Sequence, residues 1–180
     1  EDAHSDIDVI KTILALTNSP NRKEGKYHIV AEIRDERNLE VGGIVGADEA
    51  VLLLAQDLIS RITVQTCRQS GLSVIYTELL DYGGDEIYFH KEPKLTGKTY
   101  KDAIFAYEDS AIMGIRYADG EVDINPPMDT EINAGDSVIA VSEDDDTVKL
   151  SGKTAFDIKD EAIVNPAPET LKPERTLVLG

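Results

Sequence analysis

Apolar positions along this chain switch repeatedly between helical and extended spacing, and the switches predict its elements. Ser5, with Asp8 three residues on, reads as a helix N-cap and capping-box acid, and Ile7, Ile10, Ile13 and Leu14 follow at helical spacing. Asn18-Ser19-Pro20-Asn21 is loop chemistry that ends this helix near Thr17. Residues 26–33 read as a strand. Asp35 caps a short helix that Gly42-Gly43 should stop. Ala50-Val51-Leu52-Leu53-Leu54 is apolar without alternation, as expected of a strand covered on both faces. Ala55, Leu58, Ile59, Ile62 and Thr66 line one helix face. Past Gly71, a second face is built from Leu72, Ile75, Tyr76, Leu79 and Leu80. A turn at residues 81–86 leads to a strand at 87–90.

From Leu95 onward the signals are turn chemistry. A short helix follows Leu95-Thr96-Gly97-Lys98-Thr99-Tyr100. Then come the strand Ala111–Arg116, a hairpin signal at Asp119-Gly120, Asn125-Pro126-Pro127, and Gly135-Asp136 opening a last strand, 137–141. Gly tolerates the positive φ of tight hairpins, and Pro126-Pro127 cannot lie inside a central strand because neither offers a backbone N–H. The order helix, strand, short helix, strand at the start is the rhythm of a doubly wound parallel sheet. The expected fold class is therefore α/β, with a parallel sheet first and a small α+β lobe after it.

Charge narrows the partners. The 180 residues carry 35 acids against 18 bases, a formal charge of −17. Such a surface repels phosphate backbones, so no nucleic acid is expected, and it disfavours docking on an anionic leaflet through basic clusters. Cys67 is the only cysteine, which excludes an internal disulfide and a cysteine zinc cluster. No apolar run approaches the ~20 residues needed to span a bilayer. The acidic start, residues 1–6, is unlike a signal peptide.

The ordered set Leu95-Thr96-Gly97, Gly114-Ile115-Arg116, Asn125-Pro126 and Gly135-Asp136 resembles the C-terminal lobe of the RCK domain (regulator of conductance of potassium). Ser5-Asp6, Ala31-Glu32 and Gly46-Ala47-Asp48 are similar to the second half of the Rossmann-like N-terminal lobe of RCK and Trk-type potassium uptake proteins. No Gly-x-Gly-x-x-Gly phosphate turn occurs, so the chain reads as cut within that lobe, and no nucleotide fingerprint is expected. The resemblance implies the C-terminal half of a Rossmann-like parallel sheet with a helix-turn-helix crossover, and that helices 55–70 and 72–81 pair two copies across a dimer axis. It also implies three segments: residues 1–91 as a partial N-lobe with crossover helices, 92–150 as the C-lobe, and 151–180 as linker and first strand of a following unit. The proline-rich stretch 165–173 and Arg175–Gly180, a short apolar strand ending in Gly, resemble the tandem-lobe arrangement of the Castor and Pollux ion-channel family.

Catalysis finds no support. His4, His28 and His90 are scattered without metal-ligand spacing, Cys67 sits mid-helix as a small hydrophobe, and neither a Gly-x-Ser-x-Gly elbow nor a Walker-type loop is present. The candidate metal ligands are Glu78, Asp81, Asp85 and Glu86. Gly83-Gly84 between them lets the backbone fold Asp85 back towards Glu78 and Asp81, and calcium needs several converging oxygens at ~2.3–2.6 Å. Calcium sites near the lobe junction are what the RCK and Castor resemblance implies. The run Glu143-Asp144-Asp145-Asp146 is a weaker candidate, because consecutive acids splay apart.

These observations lead to the expectation of a non-enzymatic, cytosolic, ligand-sensing domain that gates a potassium or other cation channel by conformational change. It would be attached to a membrane pore domain and assembled as a homo-oligomer. A free Trk-type regulatory subunit is the alternative within the same class. A fragment of a nicotinamide-dependent oxidoreductase is the rival from another class.

Overall fold

The computed structural model describes residues 2–153, 159–162, 164 and 177. The chain divides into two compact units, the first comprising residues 1–70 and the second beginning at Gly71. The expected linker at 165–173, and the final strand apart from Leu177, lie outside the described residues.

The first unit contains α1 (Asp2–Thr17), β1 (Ile29–Ile33), α2 (Leu39–Gly46), β2 (Ala50–Leu54) and α3 (Ala55–Arg68). β1 and β2 pair in parallel, from Ile29 opposite Ala50 to Ile33 opposite Leu54. The α/β expectation is met here by the β1–α2–β2 unit, whose helix carries the chain back to start a parallel neighbour.

Four local expectations change. First, α1 runs from Asp2, so Ser5 lies inside the helix and not at its cap. Second, β1 begins only at Ile29, because the preceding residues are held by side chains. Glu49 accepts from Tyr27 N–H (3.0 Å) and pairs with Arg22 (2.8 Å), and Lys26 pairs with Asp48. Third, α2 runs straight through Gly42-Gly43 to Gly46, after a short 3-10 turn at Glu36–Asn38. Its glycines serve close packing: a Cβ on Gly42 would stand 2.6 Å from Leu52 Cδ1, and one on Gly46 would collide with Ala50 Cβ. Fourth, β2 is covered on one face only. Val51 and Leu53 are about half exposed, as is Val30 on the neighbouring strand.

One buried carboxylate organises this unit. Asp6, on α1, is 1% exposed. It accepts hydrogen bonds from Arg34 N–H (3.0 Å), Asp35 N–H (2.9 Å) and the Asn38 side-chain amide (2.9 Å). These donors sit where β1 hands over to the 3-10 turn, so Asp6 ties the first helix to the end of the first strand.

The second unit contains α4 (Leu72–Leu79), β3 (Glu86–His90), α5 (Tyr100–Ala106), β4 (Ala111–Arg116), β5 (Val122–Ile124) and β6 (Ser137–Ser142). The four strands form one antiparallel sheet in the order β3-β6-β4-β5. β3, which precedes the boundary expected near residue 91, pairs along its whole length with β6 and so belongs to the sheet of the following lobe. The turn chemistry behaves as read. Tyr117 N–H bonds Glu121 O (2.8 Å) around Gly120, at φ +96°, closing the β4–β5 hairpin. Asp136 accepts from Ala118 N–H (3.0 Å) and Asn133 N–H (2.8 Å) as the chain enters β6. Thr99 and Asp102 form a reciprocal capping box at the start of α5. Tyr100 and Ala103 of α5 pack with Ile112, Ile115, Val138 and Ala140 of the sheet, closed by Leu95, Ile132 and Val148.

Candidate functional site

The acidic turn after α4 is compact. Asp81 N–H donates to Glu78 O (3.1 Å), Gly84 N–H to Asp81 O (3.2 Å), and Gly83 N–H to Asp81 Oδ1 (3.3 Å). Gly84 matters because a Cβ there would lie 2.5 Å from Glu78 Oε1. The turn thus brings Gly84 beneath the Glu78 carboxylate.

The other two acids are used differently. Glu86 opens β3, and its carboxylate accepts from the Tyr88 hydroxyl at 2.7 Å. That bond, helped by burial and nearby acids, pushes the Tyr88 phenol up to about 12. Asp85 makes no side-chain hydrogen bond among the described residues, and like Asp81 it is exposed. Among the described residues no three His, Cys, Asp or Glu side chains are grouped to hold a metal ion. Within one lobe, then, the turn brings Glu78 over Gly84 but does not converge all four acids. Tyr88 is the partner that sequence reasoning missed. Its signal was there in the i, i+2 spacing from Glu86, which puts both on one face of a strand.

The run at 143–146 is occupied by local structure. Asp144 and Thr147 form a second capping box around a 3-10 turn. The Thr147 hydroxyl joins the buried Ser142 hydroxyl (2.7 Å), which meets Ser110 (2.9 Å). Its acids are therefore a solvated helix start. His28 is exposed and His90 half-buried, on different units.

α3 and α4 each lack any buried residue. On α3, Leu58 and Ile59 are 53% and 56% exposed; on α4, Val74 and Ile75 are 69% and 53% exposed. Of the faces read as apolar from their spacing, Leu58, Ile59, Ile75 and Leu80 are exposed, while Ala55, Ile62, Thr66, Leu72, Tyr76 and Leu79 are half-buried; exposed Val74 lies off the expected face of α4. Among the described residues no helix is long and apolar enough to cross a membrane.

Comparison with known proteins bears on this geometry. Residues 56–159 match the family described as "Castor and Pollux, part of voltage-gated ion channel". The chain is 34% identical over 146 residues to "Probable ion channel CASTOR" of Oryza sativa subsp. japonica, covering 79% of this chain and 16% of that protein. It is 32% identical over 145 residues to "Probable ion channel POLLUX" of Arabidopsis thaliana, covering 79% and 17%. Identity to "Ion channel CASTOR" of Lotus japonicus is 34% over 146 residues, again 79% and 17%. The chain thus spans about a sixth of the length of these relatives. Among solved structures, "GsuK channel bound to NAD" aligns over 76% of this chain and 23% of that chain, with 21% identity and a TM-score of 0.34, too distant to bear on the argument. The family match takes in α4, the acidic turn and the whole antiparallel sheet, and on it the chain belongs to the Castor and Pollux ion-channel family.

Proposed function

We propose that this chain is a cytosolic regulatory segment of a cation channel, of the RCK kind, which gates its pore by a conformational change in paired lobes. The family match across residues 56–159 is the observation that carries the reading. Its mechanism is a population shift: a ligand that binds one arrangement of the paired lobes better than another moves the gating equilibrium by that differential affinity. The exposed Leu58 and Ile59 of α3, and Ile75 and Leu80 at α4, support pairing with a second copy, since exposed apolar side chains of that kind gain from cover in an assembled protein. The remainder of the parent channel supplies the pore.

The ligand proposed for the acidic turn is calcium. Support comes from the fold-back that sets the Glu78 carboxylate over Gly84, and from Asp85, whose carboxylate makes no hydrogen bond among the described residues. Calcium takes six to eight oxygens, so Glu78, Asp81, Asp85 and Glu86 would need oxygens from outside their own lobe. The test is cation flux through the parent channel reconstituted in liposomes. Calcium, but not magnesium, should change the open fraction, and Asp81→Asn should blunt that response while leaving maximal flux intact. Flux indifferent to calcium removes calcium from the proposal. Flux that is also unaffected by Ile75→Asp on α4 removes the gating role.

A further inference from the structure

The second unit carries a groove of about 510 Å³, between the segment leading into α5 and the chain after β6. Its floor is apolar, with Leu150 and Phe105 among the lining residues, and its rim carries Lys94, Lys98, Lys101 and Lys153. Four lysines and a single acid, Asp102, line this one groove in a chain whose acids outnumber its bases 35 to 18. The imbalance is local and opposite in sign to the whole molecule.

The lysines are not consumed by internal pairing. Only Lys153 has a partner, Glu108. Lys94, Lys98 and Lys101 form no ion pair among the described residues. Asp102 is already committed, since its carboxylate accepts from the Thr99 N–H and hydroxyl, both at 2.9 Å, in the capping box. Three exposed lysines therefore share the rim of an apolar groove with one carboxylate, Asp102, whose charge Lys98 and Lys101 help to hold, so positive charge is in excess there among the described residues. The volume lies in the ~300–1,000 Å³ range of small-molecule sites, whose usual build is an apolar lining with a few convergent polar groups.

We propose that this groove binds a small organic anion: a phosphate, sulfonate or carboxylate head held by Lys94, Lys98 and Lys101, with an apolar body laid on Phe105 and Leu150. The head is recognised by charge-assisted hydrogen bonds from ammonium donors, and the body by burial of its apolar surface. This site is separate from the acidic turn. It does not depend on the gating reading, because it rests on the groove alone.

The test uses the aromatic sulfonate 1-anilinonaphthalene-8-sulfonate on the full 180-residue chain, with uncharged N-phenyl-1-naphthylamine as control. The sulfonate should saturate one site, with amide NMR shifts concentrated at Leu95, Phe105 and Leu150. K98E/K101E should weaken it at least about tenfold, equivalent to roughly 1.4 kcal/mol, and raising salt from about 0.05 to 0.5 M should weaken it in the parent chain. Both lysines are exposed, so the variant should keep the parent's circular dichroism and melting temperature, which separates lost binding from lost fold. The proposal fails if the variant binds the sulfonate as the parent does, or if the uncharged analogue binds equally well. It also fails if the shifts fall on the exposed apolar residues of α3 and α4 instead.

Discussion

Two buried groups show how much single residues decide. Asp6 serves three donors that no other acceptor replaces. Asp6→Ala would leave two backbone N–H groups and an amide unpaired, and should destabilise the first unit by about 3 kcal/mol, from the cost of stranding buried donors. Its titration has a definite sign. The Asn38 amide above all, with the two backbone N–H groups, holds the Asp6 carboxyl below the usual carboxylate range, against burial and the Asp35 charge. A folded pKa below the unfolded one means stability that is fully present above the unfolded value of about 3.9 and lost as pH falls through the folded value. Acid unfolding of the parent chain should therefore steepen below about pH 4, and Asp6→Asn should flatten it, which denaturant melts at stepped pH would show. Tyr107 is the opposite case. Its hydroxyl is buried without a partner among the described residues, and burial pushes the phenol up to about 12. Tyr107→Phe removes an unsatisfied polar group, so it should leave stability unchanged or raise it by about 1 kcal/mol; a clear loss of melting temperature would mean that the hydroxyl has a partner.

At the scale of elements, legibility follows the range of the interaction. The second unit reads well because its signals act over a few residues: Asp119-Gly120 makes a hairpin, and Gly135-Asp136 admits β6. The first unit reads less well because its elements are set by distant neighbours. Asp6 meets partners 28 to 32 positions away, which no local pattern announces. Gly42-Gly43 looks like a helix stop, yet α2 continues because the missing Cβ atoms let it sit on β2. Two neighbouring substitutions separate these roles. Gly43→Ala meets open space in a helix interior and should stabilise by roughly 0.5–1 kcal/mol. Gly46→Ala drives a methyl into Ala50 and should cost about 2 kcal/mol through overpacking. Thermal melts of the two variants should move in opposite directions. If both rise, α2 does not need the close approach.

For the whole molecule, apolar spacing told which faces of α3 and α4 were apolar but not what covers them, since periodicity is blind to partners. The candidate sites divide the same way. The acidic turn was visible because its residues are contiguous, whereas the lysine groove joins residues 94–101 to residue 153 only through the fold. The exposed apolar residues lead to a prediction about assembly. Leu58, Ile59, Val74 and Ile75 are each more than half exposed. A charge placed at Ile59 or Ile75 should thus cost folding little, within about 0.5 kcal/mol as for other surface changes, yet it would desolvate badly in an apolar interface. Light scattering should give the parent chain a mass near twice 19.7 kDa, falling to the single-chain value in Ile59→Asp and Ile75→Asp while their melts stay close to the parent. A parent chain that stays monomeric at about 100-fold the expected dissociation constant of a micromolar pair would show that these faces do not carry self-association. Variants that unfold instead would show that the same faces pack within the chain.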